Sequence, residues 1–104
     1  MAVREVIEGT QQQSCDEEIA YSITTTNWGS SPTSPSVEVF RDPHNHNSVA
    51  ITEAVMPTNS PMVNGDIITL SPLKNLTIGV VYRIEVKFSI GSNVFECYFK
   101  VQCY

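Results

Sequence analysis

Apolar and polar positions alternate most regularly at the end of the chain, in YRIEVKFSIGSNVFECYFKVQCY, residues 82–104. Tyr82, Ile84, Val86, Phe88 and Ile90 share one face, and Arg83, Glu85, Lys87 and Ser89 the other. After Gly91-Ser92, the residues Phe95, Cys97, Phe99, Val101 and Cys103 stand against Val94, Glu96, Tyr98, Lys100 and Gln102. A period of two predicts two half-buried strands. Gly91-Ser92 suits a two-residue hairpin turn, with glycine supplying the positive φ. Such a turn pairs residues whose numbers sum to 183, so Phe88 faces Phe95, Val86 faces Cys97, Ile84 faces Phe99 and Tyr82 faces Val101. A three-residue turn would set Phe88 against Glu96. One step of slip moves every side chain to the other face, so the pattern selects the even loop. On the outer face Lys87 then meets Glu96, a favourable pair, and Arg83 meets Lys100, an unfavourable one.

The rest of the chain has shorter patterns. Residues 1–13 read as a weak first strand or a loose arm, with Val3, Val6 and Ile7 ahead of Gln11-Gln12-Gln13. Ile19, Tyr21 and Ile23 alternate along a second strand, which bends around Thr25 to Asn27, before Trp28. GSSPTSPS, residues 29–36, is expected as a loop and VEVFR, residues 37–41, as a strand. DPHNHN, residues 42–47, reads as a turn. Val49, Ile51 and Val55 are in phase for another short strand. An Asn64-Gly65 turn leads to the strand DIITL, residues 66–70, and SPLKNLTIG, residues 71–79, connects back to Tyr82. Seven strand candidates with turn signals every 8–15 residues, and no sustained helical period, predict an all-β fold. The expected architecture is an antiparallel two-sheet Greek-key sandwich, with a barrel as the less favoured alternative, one domain over 1–104.

Composition narrows the function classes. With 104 residues and a net charge of −5, the chain lacks the basic footprint of a nucleic-acid surface. No apolar run approaches the roughly 18 residues of a membrane span. No basic segment followed by an apolar one opens the chain, so no signal peptide is expected. The expected setting is a virion or cell surface if the chain is part of a longer one, and the cytoplasm otherwise. Cys97 and Cys103 lie on one strand about 20 Å apart and cannot bridge each other. Cys15 can pair with either, and three reduced thiols are an equal alternative. Of the two, Cys103 is the preferred partner. It ends the last strand, beside which the early segment of a sandwich often runs, whereas Cys97 lies deeper.

Candidate chemistry is sparse. Asp42, His44 and His46 are the one cluster with metal-ligand character, but their turn composition favours a solvated loop. Asp16-Glu17-Glu18 offers too few converging oxygens for calcium, so a charged strand start is preferred. A nucleophile needs a base and an orienting group, and both histidines sit in one loop, so neither an enzyme nor a cofactor is expected. Asn75-Leu76-Thr77 is a glycosylation sequon, expected to be used only on export. Val94 and Tyr98, with Phe40 from the third strand, are the candidate interaction surface on the outer face. Scattered surface apolars are the ordinary condition of a monomer and remain the preferred reading of them.

LTIGVVYRIEV, residues 76–86, carries a family resemblance. Leu76, Gly79 and Tyr82 resemble the L-x-P-G-x-x-Y-x-V-x-V stretch of fibronectin type III domains, with Ile78 where that family usually has proline. The resemblance covers residues 18–103 and implies an immunoglobulin-like fold. It implies that Tyr82 forms a tyrosine corner, its hydroxyl bonded backward to the chain, and that Trp28 is the core tryptophan. The opening DEEIAYSI, residues 16–23, is also similar to small immunoglobulin-like proteins of phage particles. The expected function is a non-enzymatic structural or protein-interaction module of a virion or cell-surface assembly, with a protein partner or self-assembly. The alternative is a carbohydrate-binding module in which Trp28, Tyr98 and Tyr104 stack on a glycan.

Overall fold

The computed structural model describes residues 3–5, 9–42 and 50–104. Eight strands and one helical turn occur among them: β1 (Val3–Glu5), β2 (Gln11–Gln13), β3 (Ser22–Thr24), β4 (Thr33–Arg41), α1 (Thr52–Val55), β5 (Met62–Asn64), β6 (Ile67–Thr69), β7 (Val81–Ile90) and β8 (Asn93–Cys103). The fold is all-β, in two sheets. The larger runs β1-β8-β7-β4, with β2 also paired to β8, and the smaller runs β3-β6-β5. One hydrophobic cluster joins them. Val37, Val39, Ile84, Val86, Phe88, Phe99 and Val101 come from the larger sheet, Ile23 and Ile68 from the smaller, and Val55, Met56, Leu70, Leu73 and Leu76 from the connections.

The closing hairpin has the expected register. Ile90 pairs with Asn93, Phe88 with Phe95, Val86 with Cys97, Ile84 with Phe99 and Tyr82 with Val101, across a turn where Gly91 takes φ +59°. Ile84, Val86, Cys97 and Val101 are fully buried. Slip by one residue would carry this set to the outer face, at a cost of roughly 1.5–3 kcal/mol for each large apolar side chain exposed.

The N-terminal segment lies beside the final strand. Val3 to Glu5 pair in parallel with Glu96 to Tyr98, and Gln11 to Gln13 with Val101 to Cys103. Gln13 anchors the second contact. Its Nε2 donates to the carbonyls of Leu73 (2.7 Å) and Glu17 (2.9 Å), and its Oε1 accepts the Tyr21 hydroxyl (3.0 Å). A fully buried amide is tolerated because its polar atoms are partnered.

Four expectations are corrected. The strand through Ile51 and Val55 is instead the helical turn α1; Val49 lies outside the described residues. Ile51 and Val55 are four apart, a spacing that puts two residues on one face of a strand or of a helix, so their phase did not discriminate. Residues 29–36 are not wholly loop, since β4 begins at Thr33 and takes in Pro35. A register shift between Thr33 and Ser36, with Ser34 at φ +51°, absorbs the proline. The turn expected at Asn64-Gly65 falls one place later. Asn64 pairs with Ile67 across Gly65-Asp66, with Gly65 at φ +62°, and this forms the hairpin β5–β6. β5 has no buried residue and hence no alternation to read. Phe40, expected on an exposed face, is buried, as is Val39, so both faces of β4 are covered there.

Candidate functional site

The outer face of the larger sheet is built in rungs that follow from the register. Phe40, Arg83 and Lys100 form one rung, Glu38, Glu85 and Tyr98 the next, and Ser36, Lys87 and Glu96 the third. The Arg83–Lys100 opposition is real, but each cation has an acidic partner. Arg83 Nε donates to Glu85 Oε2 at 2.9 Å, and Lys100 Nζ lies 3.4 Å from Asp42 Oδ2. The Arg83 guanidinium also stacks on Tyr98, 3.7 Å from the ring centroid. That contact was legible in principle, because a sum of 183 puts Tyr98 diagonal to Arg83. Glu38 and Glu85 face each other as like charges, and Arg83 beside them offsets part of that repulsion.

Ser36, Glu38, Glu85, Val86, Lys87 and Glu96 line an open groove of about 160 Å³. Small-molecule sites usually occupy roughly 300–1,000 Å³ and are mainly apolar. Val94 is 39% exposed, Tyr98 is half-buried beneath Arg83, and Phe40 is buried, so the three do not form one exposed apolar patch. The three aromatics of the glycan reading also lie apart. Trp28 is half-buried at the rim of the core, edge-on to Phe88 (5.7 Å between centroids), at the Gly91-Ser92 end. Tyr104 follows Cys103 at the far end of β8, roughly 35 Å from its start.

At the connection before β7, Tyr82 is buried and its hydroxyl accepts a hydrogen bond from the Thr77 backbone N–H at 2.8 Å. Leu76 is in the core, and Gly79, at φ +87°, donates its N–H to the Cys103 carbonyl. Ile78 is exposed. Asn75 is exposed at φ +60°, and its Nδ2 donates to the Ala54 carbonyl at 3.3 Å.

Cys15, Cys97 and Cys103 are all free thiols, so the bridge considered for Cys15 and Cys103 is not formed. The strand pairing that motivated it is present: Cys15 N–H donates to the Tyr104 carbonyl and Tyr104 N–H to the Gln13 carbonyl. Burial pushes the Cys97 thiol up to about 11. Burial also raises Cys103, with Cys15 and Asp16 adding to the rise. The Tyr21 hydroxyl is raised by burial and by the charge of Glu17, in keeping with its role as a donor to Gln13.

The acidic run 16–18 is partly engaged with protein groups. Glu17 accepts the Ser14 N–H at 2.7 Å, and Glu18 pairs with Lys74 at 3.7 Å. His44 and His46 lie outside the described residues, and Asp42 pairs with Lys100. Among the described residues no group of three or more His, Cys, Asp or Glu could hold a metal, and no helix is long and apolar enough to cross a membrane. Sequence comparison adds no relative: no family model and no curated protein matches this chain.

Proposed function

We propose that this chain is a non-enzymatic structural or protein-interaction module, built as an immunoglobulin-like or fibronectin type III-like Greek-key sandwich and serving in a virion or cell-surface assembly. The closing hairpin carries the reading. Its inner face is committed to the core, and its outer face is a set of rungs whose charges engage one another around a small open groove. Such a face suits contact with another protein surface better than enclosure of a substrate. The Thr77–Tyr82 hydrogen bond, inside the Leu76–Gly79–Tyr82 motif, supports the fold likeness.

Cross-linking with mass spectrometry in the native setting tests the reading. Cross-links from Lys87 or Lys100 to another protein or to a second copy, in stoichiometric yield, are the expected result. A chain recovered free that is retained on a glycan array, with retention lost in Tyr98→Ala, would replace this reading with carbohydrate binding.

A further inference from the structure

Asn27, Asn59, Asn64, Asn75 and Asn93 lie among the described residues, and their surroundings differ in a way that bears on covalent chemistry. An asparagine side chain can be attacked at Cγ by the backbone nitrogen of the next residue, closing a cyclic imide. The attack needs that nitrogen free of hydrogen bonds and not crowded by a side chain of its own. Four of the five are restrained. Asn59 Nδ2 donates to the Val37 carbonyl (3.0 Å), and the following Ser60 N–H donates to Ser71 Oγ (2.9 Å). Asn75 Nδ2 donates to the Ala54 carbonyl (3.3 Å), and Leu76 after it is buried in the core. The Trp28 N–H, after Asn27, donates to the Thr25 carbonyl (2.8 Å). Asn93 is followed by the branched Val94 inside β8.

Asn64 has none of these restraints. Its side chain is exposed, and among the described residues neither its amide nor the Gly65 N–H meets a partner. Gly65 has no Cβ, and the place where one would stand is empty within 4 Å. Gly65 is at φ +62° and Asp66 is not at positive φ, so the two form a type II′ turn, which leaves the Gly65 N–H outside the ladder. Asn64 ends β5, and ring closure requires rotation about its Cα–C bond, which breaks the pairing with Ile67. β5 buries no residue, so this opening is local and costs little. Ile68, fully buried on β6 and paired with Ile23, need not move.

We propose that Asn64 is a site of spontaneous covalent modification, converted by water to aspartyl and isoaspartyl forms through an imide closed by Gly65. The proposal goes beyond the module reading and stands without it. The Gly65 nitrogen bonds to Asn64 Cγ, the Cγ–Nδ2 bond breaks, and the proton from Gly65 leaves with Nδ2 as ammonia. Water then opens the imide. Attack at Cγ gives an ordinary aspartyl side chain. Attack at the backbone carbonyl carbon leaves the chain running through Cβ and Cγ, one carbon longer. The balance is one water in and one ammonia out, with no oxidant or reductant. Either product places a negative charge on β5, in a sheet whose strands β3, β5 and β6 carry none. The longer chain path also spoils the Asn64–Ile67 pair that closes the turn, so β5 loosens while β6 stays on β3.

Peptide mapping of the full folded chain, incubated at neutral and at mildly alkaline pH, tests this, with fragment ions locating each change. Residue 64 is expected to gain about one dalton, in two chromatographic products, at least about tenfold faster than Asn27, Asn59, Asn75 or Asn93. The rate should rise with pH, because the attacking nitrogen must shed its proton. Asn64→Gln, which would need a larger ring, should suppress most of the ammonia release while circular dichroism and the melt are unchanged. In the converted chain, hydrogen exchange should quicken at Ile67 and stay slow at Ile68. An Asn64 that changes no faster than Asn59 or Asn75 in the folded chain overturns the proposal. So does ammonia release that continues undiminished in Asn64→Gln. Exchange at Ile67 that conversion leaves unaltered overturns the loosening of β5.

Discussion

Single residues in this chain act mainly through buried polar groups and a buried thiol. Tyr82→Phe removes the acceptor of the Thr77 N–H in a buried setting, and the expected cost is about 1–2 kcal/mol in urea melts. A loss within error would show that this hydrogen bond adds nothing net to the connection. Cys97 gives a pH prediction. Its pKa is raised from an ordinary 9.0 to about 11 by burial, so the folded state holds the proton more tightly than the unfolded one. The corresponding stability is fully present below pH 9.0 and is lost as pH rises toward about 11, by a total of about 3 kcal/mol. Melts of wild type and Cys97→Ala between these limits should converge as pH rises. Parallel curves would show that Cys97 does not titrate in this window. For the same reason a thiol reagent at neutral pH should modify the half-exposed Cys15 first and reach Cys97 and Cys103 only on unfolding.

Elements here are set by turn chemistry and by what covers each edge. Gly91 holds φ +59° in the turn that fixes the 183 register, and a Cβ there would meet nothing within 4 Å. Gly91→Ala therefore tests backbone strain alone and should cost about 1–2 kcal/mol with the register unchanged, as read by cross-strand proton contacts between Val86 and Cys97. Gly29 differs. At φ +149°, its added Cβ would lie 3.1 Å from Ile90 Cγ2, so substitution there combines strain with a steric contact. At the edge of β4, Thr52→Ala removes the acceptor for the Val39 N–H, at about 1 kcal/mol, and hydrogen exchange at Val39 should quicken.

At the scale of the whole molecule, two sheets share one core, and the N-terminal segment closes the β8 edge. Deleting residues 1–13 removes β1 and β2, uncovers that edge, and leaves the Leu73 and Glu17 carbonyls without the Gln13 amide. The expected outcome is a lower melting temperature together with concentration-dependent light scattering, because an uncovered edge of β8 is long and open to strand addition. A deletion variant that melts like the full chain and stays clear would show that the segment is dispensable for stability.

Local pattern alone was enough to determine the closing hairpin, its turn, its register and its buried face. Period-two alternation over so many residues, broken once by Gly-Ser, admits one pairing, because a one-residue slip would expose the whole apolar set. The all-β character was legible for the same reason. Where fewer residues carried the signal, tertiary structure decided. Ile51 and Val55 satisfy strand and helix alike, and contact with the β4 edge through Val39 settles the helical turn. β5 buries nothing and so has no pattern of its own. Gln13 reads as part of a polar run, yet it is fully buried, with Leu73 from a distant part of the chain and the nearby Glu17 and Tyr21 partnering its amide. The candidate surface depended on tertiary structure still more. Phe40 alternates as an outward residue and is nonetheless covered. Side-chain period reports which face of a strand points inward. Which faces and edges then stay open is set by segments far away in sequence, and no local pattern encodes them.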